Sequence, residues 1–293
     1  MEYKSIAELV EEAENQGCRI SDAVLADQAE YMEKSAWELL DMMAVRLGVM
    51  EDSIDKSQVP GLKSTSGLTG GDAYKMMQRF SSEEGLMGGF LDRAVARGVG
   101  VAEYNASMGK IVAAPTAGSC GIMPGCLVSM LREKGAKRED VLMSMFTAAA
   151  VGMVINYRAS LAGATGGCQA ECGSAAAMTA AAMTELMGGT PAQCADAVAI
   201  ALKNQLGLVC DPVAGLVEIP CIKRNAQGVV TAFCAADMAL AGISSYIPAD
   251  EVIAAMKSVG NALPDSLKET AGGGLAATPI GQRQKAQIFG EKE

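Results

Sequence analysis

Nowhere in this chain does apolar–polar alternation hold the two-residue period of a half-buried strand for long; residues 216–222 are the one weak candidate. Apolar residues recur instead at three- and four-residue steps, the spacing of one helix face. With 293 residues the chain is long enough for a sizeable core. Aromatic side chains make up only 4% of it, whereas Gly (33) and Met (19) are abundant. Small residues let helices approach closely and methionine fills irregular gaps. The expected fold is therefore all-α: a single compact domain, residues 1–293, of many short helices with glycine-rich loops lining a site.

Local signals set the expected boundaries. Ser5 and Glu8 form a capping box, and Gly17 suits the end of that first helix. Ser21 reads as the cap of one long second helix through Leu25, Met32, Trp37, Leu40, Met43 and Leu47. A polar glycine-rich stretch, KSTSGLTGGD at residues 63–72, precedes a helix starting near Asp72; another helix covers residues 89–107. A second glycine-rich loop, residues 110–124, leads to helical spacing over 125–134 and 140–161, and residues 162–167 are irregular up to Cys168. An alanine-rich helix ends at Met187, Thr190-Pro191 starts the next, and residues 210–224 read as a long loop with two prolines. Helices follow at 229–245 and from Pro248, and the tail around 272–279 is again glycine-rich. Glycine-rich polar loops between buried helices belong at the surface unless they line a site.

The chain contains no histidine, which excludes Ser-His-Asp and Cys-His catalysis and His-ligated zinc or haem within it. Any general base must be Lys, Asp, Glu, Tyr or Cys, or must come from another chain. The balance of 24 basic and 34 acidic residues, −10 in all, leaves no basic footprint for nucleic acid, although one pocket can still take an anion. Residues 111–131 carry no charge but hold Pro115, Pro124 and glycines, and the apolar stretch 141–157 is short, so no membrane span is expected. The first residues are polar and amphipathic rather than a signal peptide, which points to the reducing cytosol.

Nine cysteines remain to be explained. Cys168, Cys210 and Cys221 each have a glycine or proline within two residues, which places them on loops. None shares the C-x-x-C spacing of zinc or ferredoxin sites, so spacing leaves metal ligands and buried inert thiols both open. Without histidine, thiolates are the only soft ligands available. Cys120, Cys126, Cys172, Cys194 and Cys234 read as core packing, with Cys120 and Cys172 bordering loops; Cys18 carries no signal. The stretch 63–72 offers glycine-freed N–H groups and hydroxyls ahead of a helix, either a cradle for a carboxylate or phosphate or a solvated turn. Residues 114–121 have the same character.

Three blocks, APTAGSCGIMP (114–124), GCQAE (167–171) and CDPVAGLVEIPCIKRN (210–225), resemble the α subunit of the iron–sulfur-dependent L-serine dehydratase (L-serine ammonia-lyase) family. Residues 63–72 and GGLAATP (273–279) match as well, so the resemblance covers almost the whole chain. It implies a [4Fe–4S] cluster on Cys168, Cys210 and Cys221, with one iron left open as a Lewis acid for the substrate hydroxyl. It implies deamination of L-serine to pyruvate and ammonia, an amino-acid degradation that supplies gluconeogenesis. The substrate carboxylate falls to Ser64, Thr65, Ser66, Gly67, Thr69, Gly70 and Gly71, with Thr116, Gly118 and Ser119 from the second loop. Lys63 is the in-chain candidate for the base, with a base from a partner as the alternative. Single-chain relatives carry a C-terminal cysteine on the open iron and a further domain with a Ser-Ser-His motif. This sequence ends GEKE at Glu293, and a separate β subunit is the expected partner. A cysteine desulfidase on the same scaffold and a non-enzymatic Fe–S or zinc protein are the competing expectations.

Overall fold

The computed structural model describes residues 3–83 and 85–290. The expectations on the first two residues and on the GEKE terminus beyond Gly290 lie outside the described residues. The chain is all-α: among the described residues the one β-type pairing is an isolated bridge between Cys210 and Lys268. The weak strand candidate at 216–222 is instead a turn leading into a helix.

Helix α1 (Ile6–Gln16) starts as its sequence dictates, with Ser5 Oγ accepting from Glu8 N at 3.0 Å and Gly17 ending it at φ 64°. Its next N–H groups, of Ile6 and Ala7, donate to the Asp250 carboxylate at 2.9 and 3.0 Å. The long second helix expected from Ser21 is two helices, α2 (Ile20–Tyr31) and α3 (Ala36–Ser57). Glu33 is left-handed (φ 51°) between them, and Ser35 and Glu38 form a capping box for α3. Ser21 is fully buried inside α2, and Asp22 takes the capping role by accepting from Arg19 N at 3.2 Å.

Next come α4 (Asp72–Ser82), α5 (Gly89–Ala106), α6 (Ile122–Glu133) and α7 (Arg138–Arg158). A single turn, α8 (Gly163–Gly166), precedes α9 (Ser174–Leu186) and α10 (Pro191–Lys203). α11 (Cys221–Leu240) starts eight residues earlier than its periodicity announces, and α12 (Ala249–Ala262) follows. α13 (Pro279–Phe289) was not expected, although Thr278-Pro279 repeats the cap-and-proline start of α10, with Thr278 Oγ1 accepting from Gly281 N at 3.1 Å.

The centre of the fold is α9. Its sequence SAAAMTAAAMTEL is buried on every side up to Glu185, and α7, α10 and α11 pack against it. Alanine makes that possible, because helices flanked by methyl groups approach closely enough to surround a fourth. α7 is the one helix among the described residues long and apolar enough to cross a bilayer; 67% of that apolar window is buried against its neighbours, as in a core helix. One large hydrophobic cluster runs from Tyr3 on the chain's first described residue to Met256 on α12. A second, small cluster of Ile122, Cys168, Cys172, Ala175 and Cys210 lies where the loops converge.

Candidate active site

Cys168, Cys210 and Cys221 come from three loop-to-helix junctions. Cys168 follows α8 and Gly167 (φ 77°) and opens a wide five-residue turn, Gln169–Gly173, before α9. Such wide turns displace the helix ladder locally and re-aim side chains. The turn is pinned by the fully buried Gln169, whose Nε2 donates to the carbonyls of Gly166 and Met256, both at 2.9 Å, while its Oε1 accepts from Gly207 N at 3.0 Å. Cys210 is held by its backbone: its N–H donates to Leu267 O at 2.9 Å and its carbonyl accepts from Glu269 N at 2.8 Å. Cys221 follows Pro220 and is the first residue of α11, a helix start rather than the loop interior expected.

All three thiols are unpaired, with exposures of 3%, 3% and 8%. The hydrogen bond between the Cys168 and Cys172 sulfurs, 3.4 Å apart, and then the positive charge of Arg224 hold Cys168 below its ordinary value. Burial pushes Cys221 up to about 12, with the negative charge of Cys168 next in order. Burial and then the Glu171 carboxylate push Cys210 up, with smaller contributions from Cys168 and Cys221. The charge of Cys168 thus reaches both Cys210 and Cys221. Among the described residues no three His, Cys, Asp or Glu side chains converge on a point that would suit one ion. Thiolates on a polynuclear cluster bind different irons and stand apart, so an all-sulfur donor set in a buried pocket, with one guanidinium and the Glu171 carboxylate beside it, fits such a cluster.

Of the other cysteines, Cys120, Cys126 and Cys194 lie in the main core as expected, and Cys234 is exposed, contrary to the core role expected of it. Its position on the outer face of α11 explains the difference, since a small apolar residue at helical spacing does not reveal which face it occupies.

Glu171 is the site residue to which no role was given in the sequence. Its Oε2 lies 3.9 Å from Cys210 Sγ, and the Thr116 hydroxyl and Gly163 N–H lie close enough to temper its charge. Burial raises its carboxyl above the ordinary value, with Glu269 adding to the effect. Gly163 is required here: a Cβ would sit 2.7 Å from Glu171 Oε2 and 2.8 Å from Cys210 Sγ.

The two glycine-rich loops reach this centre differently. In the second, Thr116 Oγ1 and Ser119 Oγ are 3.1 Å apart and Gly118 packs against Glu171. The fully buried Asn225 locks the loop, donating from Nδ2 to Gly118 O (2.8 Å) and Cys221 O (2.9 Å) and accepting from Gly121 N at 2.8 Å. In the first, Ser66 Oγ and Thr69 Oγ1 both donate to Glu218 Oε2, at 3.0 and 2.6 Å, and Ser64 Oγ accepts from Thr69 N at 3.2 Å. Thr65 bonds outward to Ala106 O. Gly67 is exposed, Gly70 and Gly71 shape the turn into α4, and Lys63 is exposed rather than buried. The start of α4 is also filled: the buried Glu103 accepts from Asp72 N at 2.8 Å and Ala73 N at 3.1 Å. An open groove of about 530 Å³, lined by Thr65, Ser66, Asn105, Ala117, Val217 and Glu218, joins the loops.

Residues 15–276, which include all three cysteines and both loops, match the family described as serine dehydratase alpha chain. The chain belongs to the serine dehydratase alpha chain family. Among its relatives, the L-serine dehydratase alpha chain of Peptoniphilus asaccharolyticus is 42% identical over 97% of each chain. A Bacillus subtilis protein named "Probable L-serine dehydratase, alpha chain" is 49% identical over 98% of this chain and 96% of its own. An L-serine dehydratase of Escherichia coli K12 is 35% identical over 94% of this chain but only 62% of its own length. Among serine dehydratase alpha chains, this one therefore aligns end to end with relatives of its own size and with part of a longer protein.

Proposed function

We propose that this chain is the α subunit of an iron–sulfur-dependent L-serine dehydratase that works with a β chain in the cytosol and converts L-serine to pyruvate and ammonia. The observation that carries the reading is that Cys168 and Cys210 share one buried cluster beside Glu171, and that Asn225 ties the buried Cys221 to the second glycine-rich loop, in a chain of this family. Cys168, Cys210 and Cys221 would hold a [4Fe–4S] cluster, which supplies a Lewis-acidic iron for the poor hydroxide leaving group.

The chain's own residues account for the remaining needs. Loss of water breaks the Cα–H and Cβ–O bonds of serine and leaves aminoacrylate, which tautomerises and hydrolyses to pyruvate and ammonia. Glu171 stands between Cys210 and Thr116, where a side chain could take the Cα proton, and burial moves its carboxyl toward the range a general base needs. It is better placed for that role than the exposed Lys63, which is suited to drawing in the substrate carboxylate. The carboxylate would be received by Ser64, Ser66 and Thr69 with the N–H groups around Gly67, Gly70 and Gly71, in competition with Glu218, and by Thr116, Gly118 and Ser119 on the facing side. Thr65 lines the groove that leads there.

Anaerobic reconstitution followed by iron and sulfide analysis, and a serine-to-pyruvate assay with and without the β chain, tests the reading. Cys168→Ser, Cys210→Ser and Cys221→Ser should each lose iron, and Cys126→Ser should not. A cluster that forms equally well in all four variants overturns the ligand set. Sulfide release from L-cysteine outrunning pyruvate release from L-serine would move the activity to a desulfidase.

A further inference from the structure

We infer that Arg224 is a positioning residue that fixes the Cys210 loop against the Cys221 helix and thereby retains the metal centre; this rests on the ligand set proposed above. The geometry is a fork. Arg224 lies one turn into α11 from Cys221, and its Nη1 donates to Val209 O while its Nη2 donates to Asp211 Oδ1, both at 2.8 Å. Val209 and Asp211 are the two neighbours of Cys210. One guanidinium therefore grips both sides of one cysteine from the helix that begins with another.

The grip extends further. Asp211 Oδ2 accepts from Leu275 N at 2.8 Å, so the same carboxylate ties down the glycine-rich tail. The pair is well shielded, with side-chain exposures of 12% for Arg224 and 4% for Asp211. The guanidinium also lies close enough to Cys168 for its charge to act on that sulfur. All three cysteines thus meet Arg224: one through the helix, one through its flanking backbone, one through charge. A planar fork can make these bonds together and a lysine ammonium cannot, so position and charge are separable by substitution.

The test compares wild type, Arg224→Gln, Arg224→Lys and Asp211→Asn, each checked for helix content by circular dichroism. In the metal-free chains, alkylation of Cys210 and Cys221 by iodoacetamide is followed by mass spectrometry, with buried Cys126 as the internal control. In the reconstituted chains, iron release to a chelator and the reduction potential are measured. Arg224→Gln should release iron about tenfold faster, the size expected when a group supporting a metal ligand is lost. It should also alkylate Cys210 faster and shift the potential to more negative values, since a positive charge beside the thiolates is gone. Arg224→Lys should restore the potential but not the retention, and Asp211→Asn should fall between.

Wild-type iron release and wild-type Cys210 alkylation in a folded Arg224→Gln chain overturn the inference. If that variant fails to fold, the same wild-type values in Arg224→Lys and Asp211→Asn overturn it. Should the wild type itself take up no cluster, the ligand set fails and the metal-retention part falls with it; unchanged alkylation of Cys210 then overturns the clamp separately.

Discussion

The loops at 63–71 and 114–121 have nearly the same composition and opposite fates. The first turns its donors onto carboxylates of its own chain, Glu218 for the hydroxyls of Ser66 and Thr69 and Glu103 for the start of α4. Its outer residues Lys63, Thr65 and Gly67 are exposed. The second is buried from Gly118 through Gly121, locked by Asn225, and faces Glu171 and the cysteines. Glycine and hydroxyl content announces that a backbone comes close to something polar. What it comes close to is decided by residues far away in sequence: Glu218 is 152 positions from Ser66, and Asn225 is 107 from Gly118.

The contrast can be broken by substitution. The largest effect is expected for Gly121→Ala, whose Cβ would collide with the Gly98 carbonyl of α5, backbone that cannot swing aside. A loss of about 3 kcal/mol in urea unfolding is expected, at the upper end of ordinary overpacking. A loss near zero would mean that the second loop is not locked. Glu218→Ala should lose about 1.5 kcal/mol, because the half-buried hydroxyls it frees can turn to water. It should also speed hydrogen exchange at the Leu68 and Thr69 amides, which the loop's hydroxyls now hold. Unchanged exchange would remove Glu218 as the organiser of the first loop. Gly67→Ala should lose about 1 kcal/mol, from its left-handed φ of 78° alone, since a Cβ there meets nothing within 4 Å.

The smallest effect is a slope. Burial raises the Glu103 carboxyl above its ordinary 4.5, outweighing the two N–H donors that lower it. A raised carboxylate contributes most to stability in acid, and that contribution is lost as pH climbs through the folded value. Wild type should therefore lose stability relative to Glu103→Gln as pH rises from about 4.5 toward neutrality, by less than the roughly 1.4 kcal/mol per pH unit of one whole proton. Parallel stability curves across that range would show that Glu103 is not strained by its burial.

Helix starts were legible where a cap lies beside the segment it serves, as at Ser5 and Thr190. The break between α2 and α3 was not read, because the three- and four-residue spacing of apolar groups continues across it; the Ser35–Glu38 box was the local sign. α13 carried the same Thr-Pro start as α10 but sits after a glycine-rich tail that reads as a terminus. The three cysteines were singled out by the resemblance of their motifs, since glycine also adjoins Cys120, Cys126 and Cys172 and local sequence left ligands and inert thiols both open. Glu171 lay inside a quoted motif without a role, since only the folded chain brings it against Cys210 and Thr116. Arg224 was hidden in the same way: nothing in its neighbours tells that its fork closes around position 210.

The cap that Asp250 places on α1 has a consequence in time. The first helix is capped by a carboxylate 244 residues downstream, and it packs on α2, α10 and α12. At synthesis rates of roughly 5–20 residues per second, α1 must wait roughly 10–50 s on the ribosome before that cap exists. Through that interval α1 can lean on its neighbour α2, while its first two N–H groups are left to water.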